Sequence, residues 1–478
     1  MSDRTEEQIR LGLRLLADDV KVPSRTRAPL RPWRALAVAV GVAMLIAAVA
    51  FGVLGRSSST GSPFLPDAYN YRPASASYMP GGVFQGNGGP PAYETAELSA
   101  VAASSRKDAW IIGSLGWHWD GTSWRNAPFP RIGYGGLLSV ASVSPRDAWA
   151  TGPTDAYLVE SQALIAHWDG TAWTARRVPG LGPTDLFSVS AAGRRNVWVG
   201  GATYRKNRVG RMIPSATRPL LLRWDGAAWR KVILPWAAPG LVLDRVVATP
   251  SGVWAVVSGQ EETPTKHLAM RIVVEYWNGE HWQSVRAPFG PNDPIAGFSA
   301  TSGEDAWAVG SYAHGGTAGM GYSQSLAAHW NGASWQIAPV PDRPGHNDSA
   351  LLDVVAVRPD DAWALGMSEH LEITGPGTDG SIASAVATPP VALLEHWDGR
   401  RWQVMPGVAP QLSPPEPGFA LAVSKDGSAW AVGEGSCDNA VLRWTGRAWV
   451  FSSHPPDRKW RLGLLRHHDL PSCQASRG

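Results

Sequence analysis

The sequence has little cysteine and little charge. Only 2 of its 478 residues are cysteines, too few for a disulfide scaffold or for a zinc or iron–sulfur site built from several cysteines. Charged residues make up 17% of the chain, and the net charge of +3 is too small to indicate a nucleic-acid partner. Hydrophobic residues nevertheless reach 44%, which excludes a chain that is disordered throughout.

Tryptophan, glycine and proline are abundant instead, with 25, 52 and 39 residues. Glycine and proline interrupt regular elements, and together with the few charges they indicate many short strands joined by turns. Coiled coils and helical solenoids are therefore excluded. A length of 478 residues predicts several domains or a repeat array, since one ordinary core would be smaller.

Residues 35–55 are predicted to form a transmembrane helix. The run from Ala35 to Leu54 carries no charge, and a helix of that length spans about 30 Å, the thickness of the hydrocarbon core. Basic residues precede the run and only Arg56 follows closely, so we expect a cytoplasmic N terminus with everything after the helix outside. A cleaved signal peptide is the alternative, although the apolar run is longer than is usual for one.

The segments beside this helix are short. Residues 1–34 are expected to be cytoplasmic and to hold one amphipathic helix, which either docks a cytosolic protein or lies on the inner leaflet. Residues 56–97 are rich in Gly, Pro and Ser and show no sustained periodicity, which is typical of a linker. Residues 456–478 form a C-terminal tail.

Two tryptophan motifs alternate along residues 98–455. A single tryptophan, often within Asp-Ala-Trp-Ala, occurs at Trp110, Trp149, Trp198, Trp254, Trp307, Trp363 and Trp430. A pair, Trp-(Asp/Asn/Thr)-Gly-x-x-Trp, occurs at 119–124, 168–173, 224–229, 277–282, 330–335, 397–402 and 444–449. The alternation predicts seven copies of one unit.

Each unit is predicted to contain four antiparallel strands. In the sixth unit these are Ala350–Val357, a strand through Trp363, Val391–Trp397, and a strand that starts at Trp402. A tight Asp-Gly turn is expected between the last two strands, because Asp-Gly is a strong hairpin signal. Four-stranded units that repeat in this way predict an all-β fold, a seven-bladed β-propeller, with the tryptophans filling the gaps between blades.

The spacing of the tryptophans locates the variable part of the unit. From each single tryptophan to the following pair the interval is 9, 19, 26, 23, 23, 34 and 14 residues, whereas the other intervals are nearly constant. The variable connection joins the second and third strands, and variable loops on a rigid scaffold often bind ligands. The candidate binding residues in these loops are Tyr204, Arg205, Lys206, Arg208, His267, Tyr312, His314, Tyr322 and His370. The alternative is that the loops are tolerated surface insertions.

The repeat resembles the Trp-rich propeller domains of secreted and membrane-anchored bacterial proteins, and its architecture is similar to kelch/galactose-oxidase and sialidase-type propellers. The resemblance covers residues 98–455 and implies the fold. The kelch double glycine is not repeated, and Asp120 and Gly121 are adjacent where the sialidase Asp-box has a residue between them. The chemistry of neither family is therefore expected.

No catalytic or metal-binding constellation is evident. His118, His167, His329 and His396 each precede the first tryptophan of a pair, which predicts a structural role and no shared metal site. Asp147, Asp305 and Asp361 are interpreted as turn residues that bond nearby backbone N–H groups. Motifs of hydrolases, zinc proteases and phosphate-binding loops are missing, so neither an enzyme activity nor a cofactor is expected.

The two cysteines are expected on the oxidising side of the membrane. Cys437 lies in the variable loop of the last unit and Cys473 in the tail. We predict a disulfide between them that fastens the tail to the last blade. Two free thiols are the alternative.

Three functions follow from these features. The first is a membrane-anchored, extracytoplasmic binding module for an envelope protein or a glycan. The second is a transmembrane sensor that couples ligand binding by the propeller to a cytosolic partner of residues 1–34. The third is an enzyme that acts on cell-wall material or glycans, with its site hidden among the loops.

Overall fold

A computed structural model describes residues 98–113, 116–129, 137–153, 163–178, 181–205, 216–262, 268–290, 293–314, 322–374, 384–406, 419–434 and 439–452. The regular elements within these ranges are β-strands. None of the described elements is a helix with the length and hydropathy needed to cross a membrane. The predicted transmembrane helix, the linker and the tail lie outside the described residues.

The first four blades follow one another along the chain. Blade 1 contains β1 (Leu98–Ser105), β2 (Asp108–Gly113), β3 (Gly116–Trp119) and β4 (Trp124–Asn126). Blade 2 contains β5 (Ser139–Ser144), β6 (Asp147–Pro153), β7 (Ala163–Trp168) and β8 (Trp173–Arg177). Blade 3 contains β9 (Thr184–Gly193), β10 (Asn196–Thr203), β11 (Arg218–Trp224) and β12 (Trp229–Lys231). Blade 4 contains β13 (Leu241–Thr249), β14 (Gly252–Glu262), β15 (Leu268–Trp277) and β16 (Trp282–Val285).

The last three blades have the same order, with one added ribbon. Blade 5 contains β17 (Ile295–Ala300), β18 (Ala306–His314), β19 (Tyr322–Trp330) and β20 (Trp335–Ile337). Blade 6 contains β21 (Asp348–Arg358), β22 (Asp361–Glu369), β25 (Val391–Trp397) and β26 (Trp402–Val404). Its second-to-third-strand connection forms a separate ribbon of β23 (Leu371–Thr374) and β24 (Ser384–Ala387). Blade 7 contains β27 (Ala420–Val423), β28 (Ala429–Glu434), β29 (Asn439–Trp444) and β30 (Trp449–Phe451).

The seven sheets close into a ring. Within each blade the strands pair in chain order and antiparallel, and the first strands of neighbouring blades contact one another all the way round: β1, β5, β9, β13, β17, β21 and β27. Within the described residues, blade 7 meets blade 1 without a shared strand. At this junction Trp124 Nε1 donates to Ser452 Oγ at 3.0 Å, and the Arg106 N–H donates to Asp426 Oδ2 at 2.8 Å. The predicted all-β, seven-bladed propeller of four-stranded blades is confirmed.

The single tryptophans fill the spaces between blades, as predicted. Each one belongs to the apolar cluster at the junction with the following blade, and none is more than 5% exposed. The ring of Trp307, for example, lies 5.0 Å from the rings of both Trp397 and Trp402 in blade 6. Sheet faces that cannot bury themselves are therefore sealed by aromatic side chains from the neighbouring blade.

The hairpin between the third and fourth strands differs from the predicted tight turn. The two tryptophans of each pair are cross-strand partners, as in Trp119 with Trp124, so four residues form the connection. Asp120 Oδ1 accepts backbone N–H groups from Thr122 and Ser123, both at 2.9 Å. Gly121 has a φ of 97°, which favours glycine at the second position. The expected two-residue Asp-Gly turn is wrong because the aspartate organises a longer loop through its side chain.

The histidines of four blades lie against the single tryptophan, stacked in blades 1, 2 and 5 and tilted in blade 6, and each bonds an aspartate. The His Nε2 to Asp Oδ1 distances are 2.7, 2.8, 2.6 and 3.0 Å in blades 1, 2, 5 and 6, for the pairs His118–Asp108, His167–Asp147, His329–Asp305 and His396–Asp361. The ring centroids of histidine and tryptophan lie between 4.0 and 4.6 Å apart. The interpretation of Asp147, Asp305 and Asp361 as turn residues bonded to backbone N–H groups is therefore wrong. Their carboxylates orient the imidazole rings.

Candidate functional site

One face of the ring, here called the loop face, carries the connections between second and third strands and those between blades. Both kinds of connection lie on this face because the four strands of a blade run alternately up and down. The opposite face carries the short turns within each blade. The predicted binding residues all belong to connections of the loop face or to the strand ends that support them.

The structure divides the predicted residues of blade 3. Tyr204 is buried and packs with Phe187, Ala202 and Val242, while its backbone N–H donates to Pro183 O at 3.0 Å. Arg205, the next residue, is exposed. Tyr204 therefore fixes the base of the loop, with Arg205 at the surface. Lys206, Arg208 and, in blade 4, His267 lie outside the described residues.

Three predicted residues of blade 5 come from one strand pair. Tyr312 is the cross-strand partner of Gln324, and His314 is the partner of Tyr322, at the loop-face ends of β18 and β19. The Tyr312 hydroxyl donates to Gln324 Oε1. Tyr312 and Tyr322 are both half-buried.

His370 lies at the corresponding end of blade 6, where the added ribbon begins. Its side chain is exposed, its backbone N–H donates to Thr388 Oγ1 at 2.9 Å, and its carbonyl accepts from the Thr388 N–H at 2.9 Å. Asn347 fixes the first ribbon strand, because its side chain both donates to Leu371 O at 2.9 Å and accepts from the Leu371 N–H at 2.8 Å. The two bonds to Thr388 and the bonds from Asn347 to the next residue thus set the position of His370.

Blades 5 and 6 join at these strand ends. The Ser323 N–H donates to Asp348 Oδ2 at 3.0 Å, and Asp348 is the cross-strand partner of Glu369, which precedes His370. Burial raises the pKa of Glu369 to about 7, and the neighbouring negative charge of Asp348 adds to the effect. We call the set Tyr312, Tyr322, Asp348, Glu369 and His370 the blade 5–6 edge. The structure brings three predicted residues together there, whereas Tyr204 and Arg205 lie two blades away from blade 5.

A second polar feature surrounds the axis of the propeller. In each first strand, one residue pairs with the second residue after the single tryptophan. These seven residues form what we call the axial ring: Ala100, Ser139, Ser188, Arg245, Gly297, Asp353 and Ala420. Most members are small, as expected where seven strands converge.

The polar members of the axial ring bond the next blade. Ser139 Oγ accepts the N–H of Val189, and Ser188 Oγ accepts that of Val246, both at 3.1 Å. Asp353 Oδ2 accepts the N–H of Leu421, also at 3.1 Å. In each case the N–H donor is the residue directly after the axial-ring residue of the next blade. The first strands are thus fastened to one another by side chains as well as by packing.

Arg245 and Asp353 form an ion pair across blade 5. Arg245 Nη1 lies 3.8 Å from Asp353 Oδ1, and a second guanidinium nitrogen donates to Ala296 O. Gly297 lies between them, and a Cβ atom there would come within 2.9 Å of Asp353 Cα. The missing side chain therefore lets the arginine of blade 4 reach the aspartate of blade 6. Burial lowers the pKa of Arg245 and raises that of Asp353, and their mutual attraction opposes both changes.

A cavity of about 140 Å³ lies beside this pair, between the first strands of blades 2 to 5. Its wall includes Asp244, the bulged residue of β13. Burial raises the pKa of Asp244 to about 7, although hydrogen bonds from Ser258 oppose the rise. The cavity thus combines charged, hydroxyl and aromatic groups in the middle of the fold. No group of three or more His, Cys, Asp or Glu side chains in the described ranges is placed to hold a metal ion.

Sequence reasoning missed the axial ring, although a signal was present. Ten positions before the single tryptophan, five units have Ala, Ser or Gly, but the fourth and sixth have Asp244 and Asp353. A charged residue at a repeat position that otherwise holds a small residue indicates a role beyond packing. Counting ten positions back from the tryptophan would still have missed Arg245, which takes the axial-ring position in blade 4.

Comparison with known proteins gives likenesses of fold. No family model matches the chain, and no curated protein matches it. Among solved structures, "YCF48 bound to D1 peptide" is 15% identical with a TM-score of 0.37, covering 68% of this chain and 83% of that one. A PL25 ulvan lyase bound to a glucuronate–sulfated rhamnose unit is 10% identical with a TM-score of 0.41, covering 67% and 82%. A mutant sialidase of Trypanosoma rangeli is 10% identical with a TM-score of 0.34, covering 69% and 54%. The propeller assignment rests on the strand pairing and ring closure described above.

Proposed function

We propose that the chain is a membrane-anchored binding module of a bacterial envelope, whose extracytoplasmic propeller holds an envelope protein or a glycan on its loop face. The observation that carries the proposal is the convergence of side chains from two neighbouring blades at the blade 5–6 edge. The opposite face carries short turns of repeated geometry. A ligand that needs several contacts therefore finds them on the loop face.

The chemistry of this edge suits recognition. Two half-buried tyrosines offer rigid aromatic surface, which costs little side-chain entropy on binding. Asp348 and Glu369 supply hydrogen-bond acceptors, and His370 both donates and accepts. Backbone and side-chain bonds hold these groups in place before a ligand arrives, which lowers the entropic cost of association.

The binding test is a screen of the full chain against cell-wall polymers and envelope proteins. For any ligand that binds, Tyr322→Ala and His370→Ala should each weaken affinity by about tenfold, as expected for the loss of a well-placed contact. Arg230→Ala is the control, because this side chain is 72% exposed on the opposite face. An affinity that falls in the control, or in neither loop-face variant, contradicts the proposed face.

The anchor has its own test. A reporter that is active only outside the cytoplasm, fused after residue 97, should be active in cells, because the positive flank of residues 35–55 favours a cytoplasmic N terminus. Activity of a reporter that works only in the cytoplasm at the same junction contradicts the topology.

The predicted disulfide between Cys437 and Cys473 depends on the same topology. Thiol titration of the unfolded, non-reduced protein should then detect no free thiol.

A glycan-active enzyme is the second candidate, and the Asp348–Glu369 pair favours it. Glycoside hydrolases commonly use two carboxyl groups, one kept protonated near neutral pH as the acid, and the pKa of Glu369 is raised to about 7. Release of reducing ends from a bound glycan, abolished by Glu369→Gln, would support this function. Binding without any product leaves the binding module as the function.

A further inference from the structure

Three serine hydroxyls in the axial cavity have hydrogens left to donate. Ser139, Ser188 and Ser190 line the cavity. Each oxygen accepts a backbone N–H from the next blade, at 3.1, 3.1 and 2.9 Å respectively. Among the described residues, no acceptor takes the hydroxyl hydrogen of any of the three. The bonds that orient these oxygens thus leave the O–H groups for another partner.

Arg245 offers further donors to the same space. It has five N–H groups, and one bonds to Ala296 O. The 3.8 Å between its Nη1 and the carboxylate of Asp353 is too long for a hydrogen bond. The cavity wall is therefore rich in donors without acceptors in the described part of the chain, and it favours a ligand with several oxygen acceptors.

The charges around the cavity favour a neutral ligand. The positive Arg245 is balanced by the negative Asp353 across blade 5. Asp244 supplies a carboxyl group that can accept or, when protonated, donate, since burial raises its pKa to about 7. An anionic ligand would meet the carboxyl group of Asp244 beside a guanidinium that Asp353 already balances, and a cation would meet the guanidinium and the serine donors.

The other residues that border the cavity are apolar, but they expose little surface to it, and the space is small. Phe187 and Phe298 are only 2% and 3% exposed and pack in neighbouring apolar clusters. A volume of about 140 Å³ admits one ring or the end of a chain, but no folded segment. The ligand thus needs several oxygen atoms on a compact frame, a combination that a single sugar ring provides.

We infer that the axial cavity binds a single neutral sugar residue, with Ser139, Ser188, Ser190 and Arg245 donating to its oxygens. The sugar is either a free monosaccharide or the terminal residue of a glycan. This site is separate from the blade 5–6 edge and uses different residues, so either proposal can fail while the other stands.

The first experiment measures binding by the purified full chain with saturation-transfer NMR. The probes are D-glucose, D-galactose, D-mannose and L-rhamnose, their methyl glycosides, and D-glucuronate. At least one neutral sugar should give a saturable signal. Binding of its methyl glycoside as well identifies a glycan terminus, and binding of the free sugar alone identifies a monosaccharide. If no neutral sugar gives a saturable signal, or if glucuronate alone binds, the inference is overturned.

Matched variants place the bound sugar in the cavity. Ser190→Ala should weaken binding about tenfold through loss of one donor. Ser299→Ala is the control, since Ser299 accepts the Ala356 N–H at 3.0 Å and pairs with its blade's single tryptophan as Ser190 does, but it does not line the cavity. Equal weakening in both variants means a structural effect and overturns the site.

A third variant keeps the assignment testable if the alanine variant does not fold. Ser188→Thr retains the oxygen that accepts the Val246 N–H and adds one methyl group. It should fold and lose affinity because the methyl group takes space from the sugar. Unchanged affinity in Ser188→Thr would overturn the placement of the sugar beside Ser188.

Discussion

Blades 1, 2, 5 and 6 support their single tryptophan differently from blades 3, 4 and 7. In the first group a histidine ring packs against the tryptophan and an aspartate bonds the histidine. In blade 3 the guanidinium of Arg223 lies 5.2 Å from the centroid of Trp198, and Asn196 accepts from the indole N–H at 2.7 Å. In blade 4 the ring of Tyr276 covers Trp254 at 4.8 Å.

The two positions change together. Wherever the third strand has histidine, the second strand has aspartate two residues before the tryptophan; elsewhere the same position is Asn196, Gly252 or Ser428. Gly252 makes room for Tyr276, whose hydroxyl would lie 2.6 Å from a Cβ atom at that position. In blades 1 to 6 the tryptophan therefore has a flat or cationic cover, and the residue two positions before it is matched to that cover.

The largest effect should come from removing a tryptophan. Trp307→Ala should lower the free energy of unfolding by about 3–5 kcal/mol, since the side chain is fully buried between His329 and blade 6. Trp198→Ala should cost a similar amount, because the void left by the indole ring determines the loss, whichever side chain packs on the tryptophan. Ile337→Ala, at a side chain 57% exposed, is the control and should change little. Denaturant unfolding measures all three, and an unchanged midpoint for Trp307→Ala would contradict the interblade packing.

The next effect distinguishes the two kinds of blade. Asp305→Ala should cost about 2–3 kcal/mol, because His329 loses a buried charged partner. Asn196→Ala in blade 3 should cost only about 1 kcal/mol, the value of one neutral hydrogen bond. If the Asp–His pair of blade 5 can be exchanged for the Asn–Arg pair of blade 3, the double variant Asp305→Asn with His329→Arg should recover part of the stability lost in Asp305→Ala. A double variant that is less stable than either single variant would show that the blades are not interchangeable.

A pH-dependent effect separates blades 4 and 6. Glu395 and Glu275 each pair with the residue after the single tryptophan. Burial raises the pKa of Glu395 from 4.5 to about 8, and neither of its carboxyl oxygens has a partner among the described residues. Burial also raises the pKa of Glu275, but a hydrogen bond from Ser284 opposes the rise.

Because the folded-state pKa of Glu395 is raised, its contribution is fully present below the ordinary value and is lost as pH rises toward about 8. Each pH unit in that window costs about 1.4 kcal/mol for a group that stays protonated in the folded state. The Glu395→Gln variant should therefore be more stable than the parent at pH 8, and its free energy of unfolding should fall less as pH rises. Glu275→Gln should change this pH dependence less. Parallel pH profiles for the parent and Glu395→Gln would show that the carboxyl group is not buried.

The smallest effect concerns how Asp361 of blade 6 contributes to stability at low pH. The hydrogen bond from His396 holds the pKa of Asp361 below its ordinary value, and the nearby positive charge of Arg358 adds to this. Its contribution is present above the ordinary value and is lost as pH falls through the folded-state value. The stability difference between the parent and Asp361→Asn should therefore shrink below about pH 4, with a change of less than about 1 kcal/mol for a partly exposed pair. A difference independent of pH would assign the effect to packing alone.

Periodicity made the architecture predictable. Tryptophans at repeat-fixed positions marked the blade junctions, and the constant and variable intervals separated the scaffold from the loop face. The histidines were correctly given a structural role, but their partners were not recognised. Histidine and aspartate are 10 residues apart in blade 1 and 35 in blade 6, so local spacing does not show that they meet.

The candidate sites were less predictable because they depend on contacts between blades. Tyr204 had the same sequence signals as Tyr312, yet it is buried against Phe187 and Val242 of two first strands. Asp348 and Glu369 were not singled out as a site, since neither belongs to a motif and they become neighbours only through strand pairing.

Sequence alone determined the number of blades, their four-stranded plan and the burial of the single tryptophans, because these follow from residue periodicity. Tertiary structure decided what surrounds the axis. Blades 1, 2, 3 and 6 have a register shift near the first turn, and blades 5 and 7 have a longer first turn. Blade 4 has neither, so its ring position passes from Asp244 to Arg245. Only closure of the ring then brings Arg245 past Gly297 to Asp353, because the two charges lie 108 residues apart and meet through strands that the sequence does not order in space.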